Sequence, residues 1–200
     1  MKRALLCLAA GLLLVISASA QVDNWQVDPN HSAAQFAVRH LGISVVRGAF
    51  TKTNGTVQYD PADPTKTAID VAIDATSVNT RVEIRDKDLR GPDFFDVEKY
   101  PTITFKSKQV KSAGNGKLQV NGDLTIHGVT REVVLDVVGP NGPVKDPHGN
   151  PRMGATATTR ISRKDFGVNG SPDGVADDVL ITIDVELKKP AAAPKETTSR

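Results

Sequence analysis

From Val179 to Leu187 every second residue is a large aliphatic, and Leu180, Thr182, Asp184 and Glu186 occupy the positions between. Successive side chains of a strand point to opposite faces, so this period of two describes a strand with one buried face and one mostly wet. The same alternation recurs where Ile69, Val71 and Ile73 interleave with Asp70, Ala72 and Asp74, and where Ile103 and Phe105 alternate with Thr and Lys. It appears again where Val133, Leu135 and Val137 alternate with Val134, Asp136 and Val138. Further strands are predicted around Ala34 to Val38, Phe50 to Tyr59, Leu118 to Ile126 and Ala155 to Ile161, for a total of about eight or nine.

Four of the Asn-Gly pairs, Asn54-Gly55, Asn121-Gly122, Asn141-Gly142 and Asn169-Gly170, mark tight turns or bulges, because both residues tolerate positive φ. Antiparallel neighbours follow. Asp146 to Pro151 reads as a loop from its prolines and glycine. One stretch departs from period two: Asn79 to Leu89 is densely charged and helix-compatible, with Asn79 or Thr80 placed as a cap and Val82, Asp86 and Leu89 on one side. The pattern predicts an all-β domain with one short helix crossing an end of the sheet. Alternation is satisfied equally by a sandwich and by a closed barrel.

The first residues change the meaning of the composition. Met1-Lys2-Arg3 leads into an apolar run from Ala4 to Ile16, broken only by Gly11 and ending in Ser17-Ala18-Ser19-Ala20, which is the layout of a cleaved secretory signal peptide over residues 1–20. The run is too short for a membrane anchor, which takes about 20 apolar residues, and no Cys adjoins the cut to carry a lipid. Lys2 and Arg3 leave with the peptide, so the 25 basic residues fall to 23 and equal the 23 acidic ones. A formally neutral chain has no general electrostatic claim on nucleic acid or an anionic membrane surface. Cys7, the one cysteine, is lost as well, which excludes a disulfide scaffold, thiol chemistry and thiolate metal sites in the exported protein. What remains suits a single domain, expected over residues 21–189, followed by a disordered tail at 190–200 that lacks large apolar side chains. The expected location is the periplasm or the exterior.

Motifs for chemistry are scarce. His31, His40, His127 and His148 show neither His-Glu-x-x-His nor two ligands along one strand beside a carboxylate, so no metal site is predicted. No Gly-x-Ser-x-Gly occurs, and Gly114-x-Gly116 lacks the further glycine of a dinucleotide loop. No catalytic residue and no required cofactor are assigned. The most unusual local feature is Arg85-Asp86-Lys87-Asp88-Leu89-Arg90-Gly91-Pro92-Asp93-Phe94-Phe95-Asp96, where alternating charge runs into two adjacent aromatics. It reads either as a solvated surface helix with the phenylalanines plugging a barrel end, or as a polar rim above an apolar interior that admits an amphipathic ligand.

Taken in order, the residues resemble the YceI-like family of polyisoprenoid-binding periplasmic proteins. The resemblance starts at Trp25-x-Val27-Asp28, His31-Ser32-x-x-x-Phe36-x-Val38-Arg39-His40-Leu41-Gly42 and Gly48-x-Phe50. It continues through Arg85-Asp86, Leu89, Asp93-Phe94-Phe95-Asp96-Val97-Glu98-x-Tyr100-Pro101 and Phe105, then Gly122-x-Leu124-Thr125-Ile126-His127-Gly128-Val129-Thr130 and Arg163-x-Asp165-Phe166-Gly167. It implies an extended lipocalin-like fold: an eight-stranded antiparallel β-barrel with a short helix between strands and a long apolar tunnel. It also implies an isoprenoid-tailed ligand, a quinone precursor or polyprenyl lipid, and a homodimer is an expectation of the same kind. Two positions depart from the family pattern, Asp88 where a His is common and Gly91 where a Ser is common. By motif position and alternation, Phe36, Val38, Phe50, Phe94, Phe95, Phe105, Ile126 and Phe166 are the candidates for tunnel lining or closure. Arg85 and Asp86 are polar candidates at the entrance, as are His31 and, with a structural role favoured, His127. The readings that compete with a carrier are an enzyme acting on a lipid-tailed substrate and a stress-induced interaction module.

Overall fold

In the computed structural model, which describes residues 22–190, the alternating segments form eleven strands. In chain order they are β1 Asp23–Val27, β2 Ala33–His40, β3 Ser44–Phe50, β4 Thr53–Tyr59, β5 Ala68–Asp74, β6 Val78–Asn79, β7 Thr102–Gly114, β8 Lys117–Ile126, β9 Val129–Lys145, β10 Pro151–Ser162 and β11 Val175–Lys188. One helix, α1, spans Glu83–Arg90 between β6 and β7. The expected signal peptide and nearly all of the expected C-terminal tail lie outside the described residues.

The strand segments occupy eight lanes. β1 and β2 run end to end, since β4 pairs with the first and β3 with the second. β3 and β4 likewise continue one another, as do β6 and β5, which pair with them in turn. β7, β8, β9, β10 and β11 then follow as single antiparallel neighbours. β11 closes the ring by pairing with β2 from Val175 to Asp184 and with β1 at Leu187 and Lys188. The fold is therefore a closed up-and-down barrel of eight antiparallel lanes with one short helix, which decides between the two architectures that alternation left open.

Three lanes break at one level. Phe50 still pairs with Ala34 and Val78, while Thr53 pairs with Ile73 and Thr56 with Gln26. The gap between these rungs is bridged by Thr51 N–H to Ser77 O and Asp74 N–H to Lys52 O, at 3.3 and 3.0 Å. The predicted strand from Phe50 to Tyr59 is thus two strands joined at this crease. β3 lay outside the predicted set because Val45-Val46-Arg47-Gly48-Ala49 carries no clean alternation. Gly48 is there for space: a Cβ would collide with the ring of Phe36 on the paired strand.

Period two identifies the inner face correctly. Val179, Ile181, Ile183, Val185 and Leu187 of β11 face the interior, as do Ile69, Val71 and Ile73 of β5. Burial of such side chains contributes about 1.5–3 kcal/mol each. Two of the hairpin turns fall outside the four Asn-Gly pairs singled out, one of them on a fifth such pair. β7 and β8 join through Asn115-Gly116, and β8 and β9 through His127-Gly128; both residues of each pair have positive φ, the requirement of a type I′ hairpin. The four Asn-Gly pairs singled out sit within β4, β8 and β9 and in the β10–β11 loop. Asn121-Gly122 lies opposite a bulge between Ser107 and Gln109, and Gly122 leaves room for the Phe105 ring, 2.6 Å from where a Cβ would stand.

The helix starts four residues later than Asn79. Arg81 takes a positive φ of 66° and donates its N–H to Asn79 Oδ1 at 2.9 Å, so Asn79 closes a turn instead of capping a helix. Thr80 is committed as well, its N–H and hydroxyl both donating to Asp86 Oδ1 at 2.7 and 2.6 Å. Val82 is left at the N-cap without a side-chain cap.

Candidate ligand-binding site

Because eight lanes leave an interior wide enough for side chains or one small ligand, the packing of the inner face decides whether space remains. Here a cavity of about 240 Å³ remains inside the barrel. A dry apolar cavity of about 150 Å³ already accepts benzene. The wall extends from Phe94, Phe95 and Phe166 at the helix end to Tyr59, Met153 and Leu187 at the other. Its surface is apolar throughout. Arg163 is the one charged residue in the wall, and its polar atoms are turned to backbone. Nε donates to Ala176 O at 3.0 Å, Nη1 to Val168 O and Gly170 O at 2.6 and 2.9 Å, and Nη2 to Val175 O at 2.8 Å. Burial lowers the pKa of this guanidinium, and the charge of Asp177 opposes the shift.

Phe36, Val38, Phe50 and Phe105 all lie in the wall, as do Phe94, Phe95, Ile126 and Phe166. Three of the aromatics form a chain across the helix end: Phe36 to Phe50 with centroids 6.0 Å apart, and Phe50 to Phe95 at 5.2 Å in an edge-on arrangement. α1 positions the last of these, since Phe95 N–H donates to Leu89 O at 3.0 Å. Phe94 is held against Gly170 of the β10–β11 loop, whose N–H donates to Asp93 O at 2.7 Å.

Arg85 and Asp86 lie outside the wall. Arg85 Nε donates to Thr80 Oγ1 at 2.7 Å and Nη2 to Thr80 O at 3.0 Å, while Asp86 is buried and accepts both donors of Thr80. The two residues clamp the β6–α1 turn and do not rim the cavity. Asp88 is exposed and Gly91 caps the helix C-terminus, neither in the wall. His127 packs in the β8–β9 turn against Tyr100, ring centroids 4.7 Å apart, with its Nε2 buried and unpaired.

His31 belongs to a polar cluster at the crease. Asp28, buried there, accepts from His31 Nδ1 at 3.2 Å, Arg152 Nη1 at 2.7 Å and Lys188 Nζ at 3.4 Å. Asp28, His31 and Glu186 each bring one potential metal-ligand atom within 4.8 Å of the others. Both carboxylates already have a cationic partner, because Arg152 Nη1 also lies 3.5 Å from Glu186. Sequence reasoning missed two functional parts of this architecture. Arg163 appeared only as a motif letter, because nothing local shows that four carbonyls 5 to 13 residues away converge on it. Asp28 was missed as a hub for the same reason, its partners being 124 and 160 residues distant.

Known proteins resemble this chain in sequence and fold. A UPF0312 protein of Vibrio cholerae is 38% identical over 170 residues, covering 84% of this chain and 89% of its own. The crystal structure of BcnA from Burkholderia cenocepacia superposes with a TM-score of 0.72 at 27% identity, over 80% of this chain and 98% of that one. A polyisoprenoid binding domain from Saccharophagus degradans, implicated in plant cell wall breakdown, shares the fold with a TM-score of 0.62 at 15% identity, over 85% and 100% of the chains. The model of the YceI-like domain matches residues 25–187, nearly the whole barrel, and the chain belongs to the YceI-like family.

Proposed function

We propose that the protein is an exported carrier or sequestering protein that holds the hydrocarbon tail of an isoprenoid lipid, such as a quinone precursor, inside its barrel. The observation that carries this reading is the continuous apolar cavity. A polar head group buried there without partners would cost about 1–3 kcal/mol or more, so the arrangement suits a ligand whose buried part is pure hydrocarbon and whose head remains at an opening. Each buried methylene contributes about 0.8 kcal/mol, and ten give roughly 8 kcal/mol, comparable to micromolar binding before ordering costs. Holding such a tail requires no catalytic group, and a binding role accords with the polyisoprenoid-binding domain that shares the fold. The N-terminal segment 1–20 directs the chain to the periplasm in this reading.

The test is native mass spectrometry with organic extraction of the protein purified without detergent. A prenyl lipid bound at near-stoichiometric level is the expected result; a protein free of apolar ligand, and unable to take up a polyprenol from solution, would overturn the reading.

A further inference from the structure

Five of the nine exposed large apolar side chains among the described residues lie at one end of the barrel: Leu41, Ile43, Val45, Val82 and Ile84. The β2–β3 hairpin supplies the first three. Its tip is turned out into solvent, with Ile43 83% exposed and Leu41 59%. β6 runs antiparallel beside β3, Asn79 opposite Ala49, so the chain beyond Asn79 heads toward the same end of the barrel, and α1 begins four residues on. Ile84, on the first turn of α1, is 73% exposed. Isolated surface aliphatics need no explanation, but a cluster confined to one end marks an interaction site.

The hairpin side of this patch carries only basic charge, although the exported chain as a whole is neutral. Between His31 and Tyr59 there is no acidic residue, and the stretch carries Arg39, Arg47 and Lys52. Val38 faces the cavity, so Arg39 faces outward. Arg39 pairs with Val45, and Arg47 lies on the same outer face two residues on. The apolar tip thus has an arginine collar one rung behind it. On the helix side the charge is mixed, exposed Arg81 and Lys87 standing among exposed Glu83 and Asp88, and Asp173 is exposed next to Gly174, whose O accepts from the Leu41 N–H. The neighbouring acids of β11 are engaged elsewhere, Asp178 by Arg160 and Asp177 by Ser162 and the Lys164 N–H. An apolar edge backed by basic residues is the arrangement that settles into the headgroup region of an anionic bilayer, where each Lys or Arg near the surface adds attraction.

We propose that the β2–β3 hairpin and the start of α1 dock this end of the barrel transiently on a membrane surface rich in anionic phospholipid. The proposal rests on the carrier reading for its purpose, since a prenyl lipid resides in the bilayer and is loaded or delivered there. Phe36 on the same hairpin, and Phe50 and Phe95 packed in sequence behind it, line the cavity behind this end.

The experiment is co-sedimentation of the purified protein with vesicles of phosphatidylglycerol and phosphatidylcholine in equal parts, against phosphatidylcholine alone. The expected result is binding that prefers the anionic vesicles, falls about tenfold or more in the L41D/I43D double variant, and falls about tenfold in R39S/R47S at low salt. High salt removes the second difference and leaves the first. Absence of wild-type binding to anionic vesicles, or unchanged binding by L41D/I43D, overturns the proposal. So does a wild-type dimer by light scattering that L41D/I43D converts to monomer without vesicles, which assigns the patch to a second copy. Thermal unfolding of each variant verifies that the barrel is intact. Lipid extraction keeps the two readings apart: vesicle binding by a protein that never holds prenyl lipid defeats the carrier reading alone.

Discussion

Arg152 Nη1 lies 2.7 Å from Asp28 Oδ2, a contact across 124 residues that ties the break between β1 and β2 to the start of β10. Burial pushes the Asp28 carboxyl up, but hydrogen bonds from His31, the Asn30 N–H, Arg152 and Lys188 outweigh it and hold the pKa at about 2, against 3.8 for an ordinary Asp. The folded value lies below the unfolded one, so the contribution to stability is complete above pH 3.8 and is lost as the pH falls toward 2. Removing one partner of a buried pair costs about 3–5 kcal/mol. D28N is expected to lose that much in urea unfolding at pH 7, and to show a shallower loss than wild type between pH 4 and 2.

Arg163 fixes the β10–β11 loop from within. Its four carbonyl partners belong to Val168, Gly170, Val175 and Ala176, and buried carbonyls that lose a donor cost about 1–3 kcal/mol each. R163M is expected to lower stability by at least about 3 kcal/mol. Hydrogen exchange at the Phe166 and Val168 amides should accelerate, since both donate to Arg163 O. R163K retains the charge but not the fork, and should recover only part of the loss.

The clamp on Thr80 separates structure from ligand contact. R85A removes two hydrogen bonds to Thr80 but no atom of the cavity wall, so it is expected to lower stability by about 1–2 kcal/mol while leaving the content of bound lipid unchanged. F95A opens the wall beside Phe50 and should change lipid retention. Extraction and quantitation of lipid from both variants decides whether Arg85 contacts a ligand.

Much of the wall is legible in the sequence, because inward residues of a barrel strand obey period two whatever closes the barrel. Ile69, Val71, Ile73, Ile103, Phe105, Leu135 and Val137 were placed on one face by alternation alone, and all line the cavity, while Val133, placed with them, packs against the core outside the wall. The charged run at 85–96 was legible as unusual but not as a clamp, since the Thr80 hydroxyl that organises Arg85 and Asp86 precedes the run and looked like a helix cap. Closure, the shared crease and the convergence on Arg163 depend on pairings between residues far apart in sequence, and no local pattern encodes them. Asn-Gly pairs left turn and bulge open, and the structure uses both: Asn115-Gly116 makes the β7–β8 turn, while Asn121-Gly122 lies opposite a bulge, where Gly122 is kept for the Phe105 ring.

Whether the cavity is the ligand site turns on Ala157. It lies on β10, buried and in the wall, paired with Val137 on one side and Ile183 on the other. Enlarging a side chain in a filled core costs about 1–3 kcal/mol through strain, but here the added carbons have the cavity of about 240 Å³ to enter. A157L is therefore expected to unfold within about 1 kcal/mol of wild type. Its isobutyl group takes the place of about three methylenes of a tail, a loss of about 2.4 kcal/mol or roughly sixtyfold in affinity. Titration with a fluorescent polyprenol checks this. Unchanged affinity in a stably folded A157L would place the tail outside the barrel.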